Sequence, residues 1–141
     1  MKNKMTLSFL SRSSNEGFAR VAVAGFLMQL DPNVDELSEI KTVVSEAVTN
    51  AIVHGYRDKI GTVYISASWD MRETVTITVR DKGCGIEDIN KARRPLYTSC
   101  TTGERAGMGF TIMENFSDSL KVYSIPNKGT KVVIRRKLRS K

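Results

Sequence analysis

The stretch from Leu37 to Gly55 constrains the fold most strongly, because it joins one apolar helical face to two polar side chains at a defined spacing. Its apolar residues recur at the three- and four-residue spacing of an amphipathic α-helix. They are Leu37, Ile40, Val43, Val44, Ala47, Val48 and Ala51. Glu46 and Asn50 are one helical turn apart, so they project together on the flank of this face. A carboxylate that accepts a proton, beside an amide oxygen that ligates a hard cation, suits metal-assisted phosphate chemistry. Glu39 lies on the same side, so a solvated polar face is the alternative, and this stretch alone favours that alternative.

Length and composition are those of a small globular protein. The chain has 141 residues, and we predict that residues 1–141 form a single domain. No apolar run approaches the ~20 residues of a membrane span, and the N-terminus lacks the apolar region of a signal peptide. We therefore expect a cytoplasmic protein without a membrane partner, with Cys84 and Cys100 as reduced thiols. His54 is the single histidine, which excludes a metal site with two imidazoles from this chain.

The positive charge of the chain permits several classes of partner. The net charge is +7, and much of the excess lies in the tail from Arg135 to Lys141 and at Arg93 and Arg94. No aromatic-interleaved basic stripe and no nucleic-acid-binding motif accompanies it. We interpret the excess mainly as solvated surface, with an acidic protein partner as the second possibility and DNA as the third, and we expect no direct specific DNA binding.

Two helices are predicted in the first half of the chain. A strand at Met5–Phe9 precedes a helix opened by a capping box of Ser13 and Glu16 and ended by Asp31-Pro32. Asn33 and Glu36 cap the second helix, which runs to about His54 with Gly55 as its left-handed terminal residue.

The first helix carries apolar residues along one face and charge on the other. The apolar positions are Phe18, Val21, Ala22, Gly25 and Met28. Glu16 and Arg20 stand opposite, and they are the only charges between Asn15 and Leu30. We expect this charged spot on the exposed face of the helix. An intrahelical ion pair is the favoured interpretation from the residues alone, and a docking spot for a partner is the alternative.

The second half of the chain is rich in strands. Alternating runs at 62–69 and 74–80 predict a hairpin, and runs at 120–124 and 130–137 predict another around Asn127-Lys128-Gly129. A short helix at 86–94, a mobile loop at 96–105 and a helix at 107–115 lie between the two hairpins. This order predicts an α+β fold, a two-layer sandwich with a mixed, mostly antiparallel sheet and helices on one face.

Two glycine clusters mark candidate ligand sites. Asp81, Gly83 and Gly85 follow a strand, where glycines let the backbone approach a flat or anionic ligand and a carboxylate can accept from an exocyclic amine. Gly107 and Gly109 open a helix whose N–H groups could bind phosphate, with Arg105 placed to reach a terminal phosphate. Each cluster alone is a weak signal, because a tight turn needs the same residues. Neither a P-loop motif nor G-x-G-x-x-G occurs.

The order of these motifs is more specific than any one of them. Glu46-x-x-x-Asn50, then Asp81-x-Gly83-x-Gly85, a loop and Gly107-x-Gly109 resembles the GHKL superfamily, which includes gyrase, MutL and histidine-kinase ATPases. Within it the chain is similar to the bacterial anti-sigma factors that are protein serine kinases, most of all the sporulation anti-sigma F factors. The stretches that carry this resemblance include 18–21, 35–37, 39–51, 54–56, 63–66 and 107–116.

The resemblance implies a fold, cofactors and residue roles. It implies a GHKL-type sandwich that binds ATP and Mg²⁺, with Asn50 as the metal ligand and Glu46 as general base for a serine hydroxyl. Asp81 would accept from the adenine amine with Thr130 nearby, and Gly83 and Gly85 would make room for the base. The segment from Pro95 to Arg105 would form the lid. The remaining residues would contact phosphates, and they are Arg105, Gly107, Met108 and Gly109.

The resemblance also implies partners. Family members bind a sigma factor, here sigma F-like, and phosphorylate an anti-anti-sigma antagonist on serine, which releases the antagonist. They work as homodimers, and partners dock on the first helix near Arg20, which makes Glu16 and Arg20 interface candidates.

Other functions are compatible with parts of this pattern. A general-stress anti-sigma kinase of the same family differs only in its sigma factor, and a non-catalytic protein could use ATP to gate sigma sequestration. A general base at Glu46 favours a kinase over that scaffold. A sensor histidine kinase is disfavoured, because His54 lies inside the ATP motif and no upstream helical hairpin carries a phosphoacceptor histidine. A gyrase- or MutL-type ATPase needs further domains.

Overall fold

Within the part of the chain that the structure describes, a five-stranded sheet forms one layer and the helices cover one face of that sheet. The computed structural model describes residues 2–89 and 109–139. The strands are β1 (Asn3–Leu10), β2 (Thr62–Trp69), β3 (Thr74–Asp81), β4 (Ser119–Ile125) and β5 (Gly129–Lys137). They lie in the order β1-β2-β3-β5-β4, and each neighbouring pair is antiparallel. The predicted α/β sandwich is confirmed; the sheet, expected to be mixed but mostly antiparallel, is antiparallel at every pairing that the structure describes.

Among the described residues, three α-helices and two shorter helical segments make up the second layer. They are α1 (Asn15–Leu27) with a 3₁₀ turn at Met28–Leu30, α2 (Val34–Thr49) continued by a π-helix at Asn50–Tyr56, and α3 (Gly109–Asn115). In residues 2–89 and 109–139, no helix combines the length and apolar character needed to cross a bilayer.

The core lies between the sheet and α2. Strand residues alternate, so that Val63, Ile65 and Ala67 on β2 and Val75, Ile77 and Val79 on β3 are buried. From α2 and the start of the π-helix, the buried members of the predicted stripe are Ile40, Val43, Val44, Ala47, Val48 and Ala51. The predicted strands and the apolar stripe of the second helix are therefore confirmed.

The orientation of α1 is opposite to the prediction. Its buried residues are Ala19, Val23, Ala24 and Leu27. Phe18, Val21 and Met28, expected to face the core, are 54%, 65% and 54% exposed. The helix is apolar almost all the way round, so periodicity identifies two apolar faces and does not select between them. The face with smaller side chains packs on α2 and the sheet, and the other face is left outside.

Helix ends were predicted with mixed success. The capping box of Asn33 and Glu36 is present, with the Glu36 backbone N–H donating to Asn33 Oδ1 at 2.7 Å. The box predicted for Ser13 and Glu16 is wrong, because the N-cap is Ser14 and its side chain caps nothing. Gly55 does not end its helix in the left-handed conformation, because the chain continues as a π-helix and Arg57 has the positive φ of 60°.

The basic tail is held by acidic groups at the start of α2. The Arg136 guanidinium lies 2.7 Å from Glu39 Oε1, and the Arg139 backbone N–H donates to the buried Glu36 carboxylate at 2.6 Å. The Arg139 side chain also lies 3.3 Å from Asp118. Part of the positive charge that we interpreted as solvated surface is thus paired, and it fastens the end of β5 to α2.

Candidate active site

Glu46 and Asn50 meet the first residue of α3. Glu46 occupies the last turn of α2 and is only 4% exposed, so the solvated-face alternative is wrong for this side chain. A Cβ placed on Gly109 would lie 3.1 Å from Asn50 Nδ2 and 3.3 Å from Glu46 Oε2. The two side chains predicted to act together therefore converge on Gly109, and only a residue without a side chain fits between them without displacing either.

Asp81 is a buried carboxylate at the end of β3. It is 6% exposed, and its Oδ1 accepts a hydrogen bond of 2.9 Å from the Gly83 backbone N–H. Burial raises the pKa of Asp81 from 3.8 to about 6, and hydrogen bonds from the backbone at Gly83 and Thr130 lower the pKa by a smaller amount. A buried carboxylate has lost hydrogen bonds to water. The N–H group of a bound ligand could donate a hydrogen bond in place of that water.

Gly55 brings the helical segment of Asn50 to Asp81. A Cβ on Gly55 would lie 2.9 Å from the carboxylate carbon of Asp81. The π-helix begins at Asn50 and includes Gly55. One seven-residue segment thus carries the candidate metal ligand at its start and contacts the candidate adenine-binding carboxylate near its end.

The two glycines after Asp81 are needed for backbone packing. A Cβ on Gly83 would lie 2.1 Å from the Gly55 carbonyl oxygen, and one on Gly85 would lie 2.3 Å from the Ile125 carbonyl oxygen. Gly85 also has a φ of +74°, a conformation that glycine adopts at low cost. The Cys84 thiol, which is free, donates to the His54 carbonyl at 3.1 Å.

Thr130 lies beside Asp81, as expected. The two residues are register partners between β3 and β5. The Thr130 hydroxyl is 2.8 Å from the Ser124 hydroxyl, which ties it to β4. Gly129, with a φ of +130°, packs against the backbone carbonyl of Asp81, so the second hairpin turn forms one wall of this site.

Several of the predicted site residues fall between the two described ranges of the chain. Arg105, Gly107 and Met108, the lid from Pro95 to Arg105 and most of the short helix predicted at 86–94 lie outside the described residues.

Glu16 and Arg20 form the ion pair predicted from their spacing, at 3.5 Å. Their face of α1 turns toward α2 instead of standing on the exposed side. Arg20 Nη1 donates to the Ser45 hydroxyl at 3.3 Å, and Ser45 immediately precedes Glu46. Both side chains remain partly exposed, so the spot is an accessible junction between α1 and α2.

Sequence reasoning missed the roles of Gly55 and Tyr56. The Tyr56 hydroxyl donates to the Thr62 carbonyl at 2.5 Å and accepts from the Lys82 backbone N–H at 2.7 Å. It therefore ties the end of the π-helix to β2 and to the residue after Asp81. A tyrosine placed directly after a glycine at the end of an amphipathic helix was the available signal, but the pairing needs the tertiary fold.

Comparison with known proteins identifies the family. Residues 12–136 match the model of the histidine kinase-like ATPase domain. The chain is 58% identical over 139 residues to an anti-sigma F factor of Clostridium perfringens, covering 98% of this chain and 99% of that protein. An anti-sigma F factor of Oceanobacillus iheyensis is 59% identical over 139 residues, covering 98% and 94%. This chain belongs to the histidine kinase-like ATPase domain family and, within it, to the anti-sigma F factors.

Solved structures share the fold of this anti-sigma F family member. The RsbU and RsbW domains of a Mycobacterium tuberculosis protein match with a TM-score of 0.71 at 16% identity, over 97% of this chain and 33% of that chain. The histidine kinase domain of a blue-light activated histidine kinase from Erythrobacter litoralis matches with a TM-score of 0.58 at 23% identity, over 87% and 61%. At these identities the likeness concerns the fold alone.

Proposed function

We propose that this protein is a cytoplasmic anti-sigma factor and an ATP-dependent protein serine kinase. It binds a sigma F-like sigma factor and phosphorylates a serine of an anti-anti-sigma antagonist, which is released. The observation that carries the proposal is the convergence of the buried Glu46 and of Asn50 on Gly109. The anti-sigma F factors that it resembles at 58–59% identity support the sigma partner.

The side chains near Gly109 suit the binding of Mg²⁺ together with ATP. Asn50 offers an amide oxygen, a hard ligand of the kind that Mg²⁺ takes together with phosphate oxygens and water. Gly109 leaves the space beside Asn50 and Glu46 that a Cβ would fill. Asn50 would bind Mg²⁺. The ion, when bound, would neutralise negative charge on the phosphates.

Glu46 acts as the general base. In the proposed reaction, the acceptor serine oxygen forms a bond to the γ-phosphorus of ATP, the bond to the ADP oxygen breaks, and Glu46 accepts the hydroxyl proton. Arg105, predicted to contact the γ-phosphate, would neutralise charge on the transferred group. Most of the rate enhancement then comes from the positioning of the serine and ATP and from charge neutralisation.

The adenine base binds at the other end of the π-helix. Asp81 accepts from the exocyclic amine and Thr130 lies beside it. Gly83 and Gly85, which pack against the backbone of Gly55 and Ile125, are assigned to the wall that contacts the base. Gly107, Met108 and Gly109 are assigned to the phosphates. The burial of Asp81 supports this role, because a buried carboxylate has little access to water and gains a hydrogen bond from a ligand N–H.

Partner proteins dock at the junction of α1 and α2. Glu16 and Arg20 carry the charge there, and the Arg20 bond to Ser45 places this spot one residue from Glu46. A serine presented by a protein bound at this junction would therefore arrive near the proposed base.

We also propose that the protein forms a homodimer through α1. The exposed apolar stripe of α1, which we define as Phe18, Val21 and Met28, is the surface that we assign to a second copy of the chain. It is apolar along its length, and exposed apolar patches of this kind mark protein interfaces. Phe18 also packs edge-to-face on Phe9 of β1, with ring centroids 6.3 Å apart, which orients the Phe18 ring before association.

The decisive experiment is phosphoryl transfer with a variant of the base. The protein is incubated with Mg-ATP labelled on the γ-phosphate and the candidate antagonist from the same organism, and phosphoserine is mapped by mass spectrometry. Glu46→Gln should keep ATP and sigma-factor binding but reduce transfer by at least roughly 100-fold. Glu39→Gln, the same change on the same helix, should leave transfer intact. Asn50→Ala should lose transfer together with Mg²⁺-dependent ATP binding.

Two results would replace this proposal with a neighbouring one. Transfer that survives Glu46→Gln would remove Glu46 as base. ATP binding and sigma capture without any labelled partner would favour the ATP-gated sequestering protein over the kinase. Capture of a general-stress sigma factor in place of a sigma F-like one would instead assign the chain to a general-stress anti-sigma kinase.

A further inference from the structure

The face of the sheet opposite the helices carries positive charge on four of the five described strands, β1, β3, β5 and β4. The outward-facing cations on the strands are Lys4, Arg80, Lys121, Lys131, Arg135 and Lys137. At the outward-facing positions of the five described strands, no residue is Asp or Glu. The rest of this open face is largely hydroxyl-bearing, with Thr6, Ser8, Ser66, Thr76 and Thr78 among its residues.

One row of this face places two basic groups between two tyrosines. The strand register places Tyr64 opposite Arg80, Arg80 opposite Lys131, and Lys131 opposite Tyr123. Neighbouring strands lie ~4.8 Å apart, so the row spans about 14 Å. We call this set the tyrosine–cation row. Sequence patterns do not reveal it, because its members come from four different strands.

The tyrosine rings hold the cations in place. The Arg80 guanidinium lies 4.8 Å from the centroid of the Tyr64 ring, and Lys82 Nζ lies 5.2 Å from the same ring. Lys131 Nζ lies 4.9 Å from the Tyr123 ring centroid. These cation–π contacts reduce the conformational freedom of the three cations, so less entropy is lost when an anionic ligand orders them.

The tyrosine–cation row combines groups that bind phosphate with groups on which bases stack. We propose that this face binds single-stranded nucleic acid without sequence specificity. Lysine, arginine, serine and threonine side chains are the usual contacts of phosphate oxygens. Tyrosine rings and guanidinium planes are the groups on which unpaired bases stack. An uncovered antiparallel sheet that presents both kinds of group is a recurrent single-strand platform.

Other occupants fit this face less well. A second copy of the chain would bring like charges together. An acidic protein would find tyrosines and cations here, but the centre of a protein interface is usually depleted of charge and of lysine, whereas this face carries six cations and no Asp or Glu on its strands. The proposed site is independent of the nucleotide site, because Arg80 and the adjacent Asp81 point to opposite faces of β3.

The test is fluorescence anisotropy with a labelled oligouridylate of about twelve nucleotides, a length within the range that single-strand platforms cover. Saturating Mg-ATP is present, so that the nucleotide site is not available to the probe. If three or four phosphates are contacted, log K should fall with log salt with a slope of roughly −2 to −3 between roughly 50 and 200 mM.

The variant Arg80→Glu/Lys131→Glu should weaken binding by at least roughly tenfold while ATP affinity is kept. Arg12→Glu/Lys59→Glu makes the same change of net charge at exposed positions away from the row, and it should change affinity by no more than roughly threefold. If the double charge reversal impairs folding, Arg80→Gln/Lys131→Gln replaces it, with the same expected direction.

Three results would overturn the proposal. They are the absence of salt-dependent binding, an equal loss in the Arg12/Lys59 control, and a labelled polyglutamate peptide that binds as tightly as the oligonucleotide. The last result would assign the face to an acidic protein partner.

Discussion

Gly55 lies so close to Asp81 that a methyl group on its α-carbon would sit 2.9 Å from the Asp81 carboxylate carbon. The contact joins the π-helix that begins at the candidate metal ligand to the carboxylate proposed to bind adenine. The two ends of the proposed ATP site are therefore coupled through one glycine.

Gly55→Ala should displace the Asp81 carboxylate and reduce ATP affinity by at least roughly tenfold, measured by isothermal titration calorimetry. Gly25→Ala is the matched control, because a Cβ on Gly25 has nothing within 4 Å. The control should leave ATP binding unchanged and stabilise α1 by roughly 0.5–1 kcal/mol. Equal ATP affinity in the Gly55 variant would remove this contact from the site.

Asp81→Asn should raise stability at neutral pH while it weakens ATP binding. Burial raises the pKa of Asp81 to about 6 in the folded protein, from 3.8, so the folded state retains a proton between these two values that the unfolded state has lost. The free energy of unfolding therefore falls as pH rises through this window. Asparagine has no such proton to lose, so the variant should equal the wild type below about pH 3, where both states are protonated, and exceed it by roughly 2–3 kcal/mol at pH 7.5.

Urea denaturation at several pH values measures this difference. ATP affinity should fall because asparagine replaces one acceptor oxygen with a donor N–H. A stability difference that stays constant with pH would contradict the ionisation account.

Val21→Glu should shift the dimer toward monomer. Val21 is 65% exposed in the apolar stripe of α1, and burying a charge there against a second copy would cost enough to weaken association by at least roughly tenfold. Sedimentation velocity over a range of protein concentrations measures the change. Ser38→Glu adds the same charge at an exposed position of α2 and should not alter association; a dimer that tolerates Val21→Glu uses another surface.

Arg136→Ala should lower the free energy of unfolding by roughly 1–2 kcal/mol. Its guanidinium lies 2.7 Å from Glu39 and donates to the Phe116 carbonyl at 3.3 Å, so its loss frees the end of β5 from α2 and α3. Arg135→Ala, on the exposed side of the same strand, should change stability by less than roughly 0.5 kcal/mol. Urea titrations followed by circular dichroism compare the two; equal effects would show that the paired contacts add no stability.

Local patterns in the sequence were sufficient for the strands, the second helix and its cap. Alternation at 62–69 and 74–80 predicts the buried positions of β2 and β3, because side chains of a strand must point to alternate faces. Asn33 and Glu36 cap α2 because their bonds span a single turn. The motif order from Glu46 to Gly109 predicted the family because spacing along the chain carries it.

Other features depend on contacts between distant segments. The face of α1 that is buried was predicted wrongly, because both faces are apolar and only packing on α2 selects the one with Ala19 and Val23. Gly55 was expected to end its helix, whereas the approach of Asp81 from β3 gives that glycine a different role.

Neighbouring residues along the chain were enough to predict the strands of the sheet, the amphipathic second helix and the candidate ATP-binding residues. Contacts between distant segments place Gly109 beside Glu46 and Asn50 and turn the apolar stripe of α1 outward. Strand pairing forms the tyrosine–cation row. Periodicity along the chain cannot predict these contacts, because strand pairing and helix packing join residues that are far apart in the sequence.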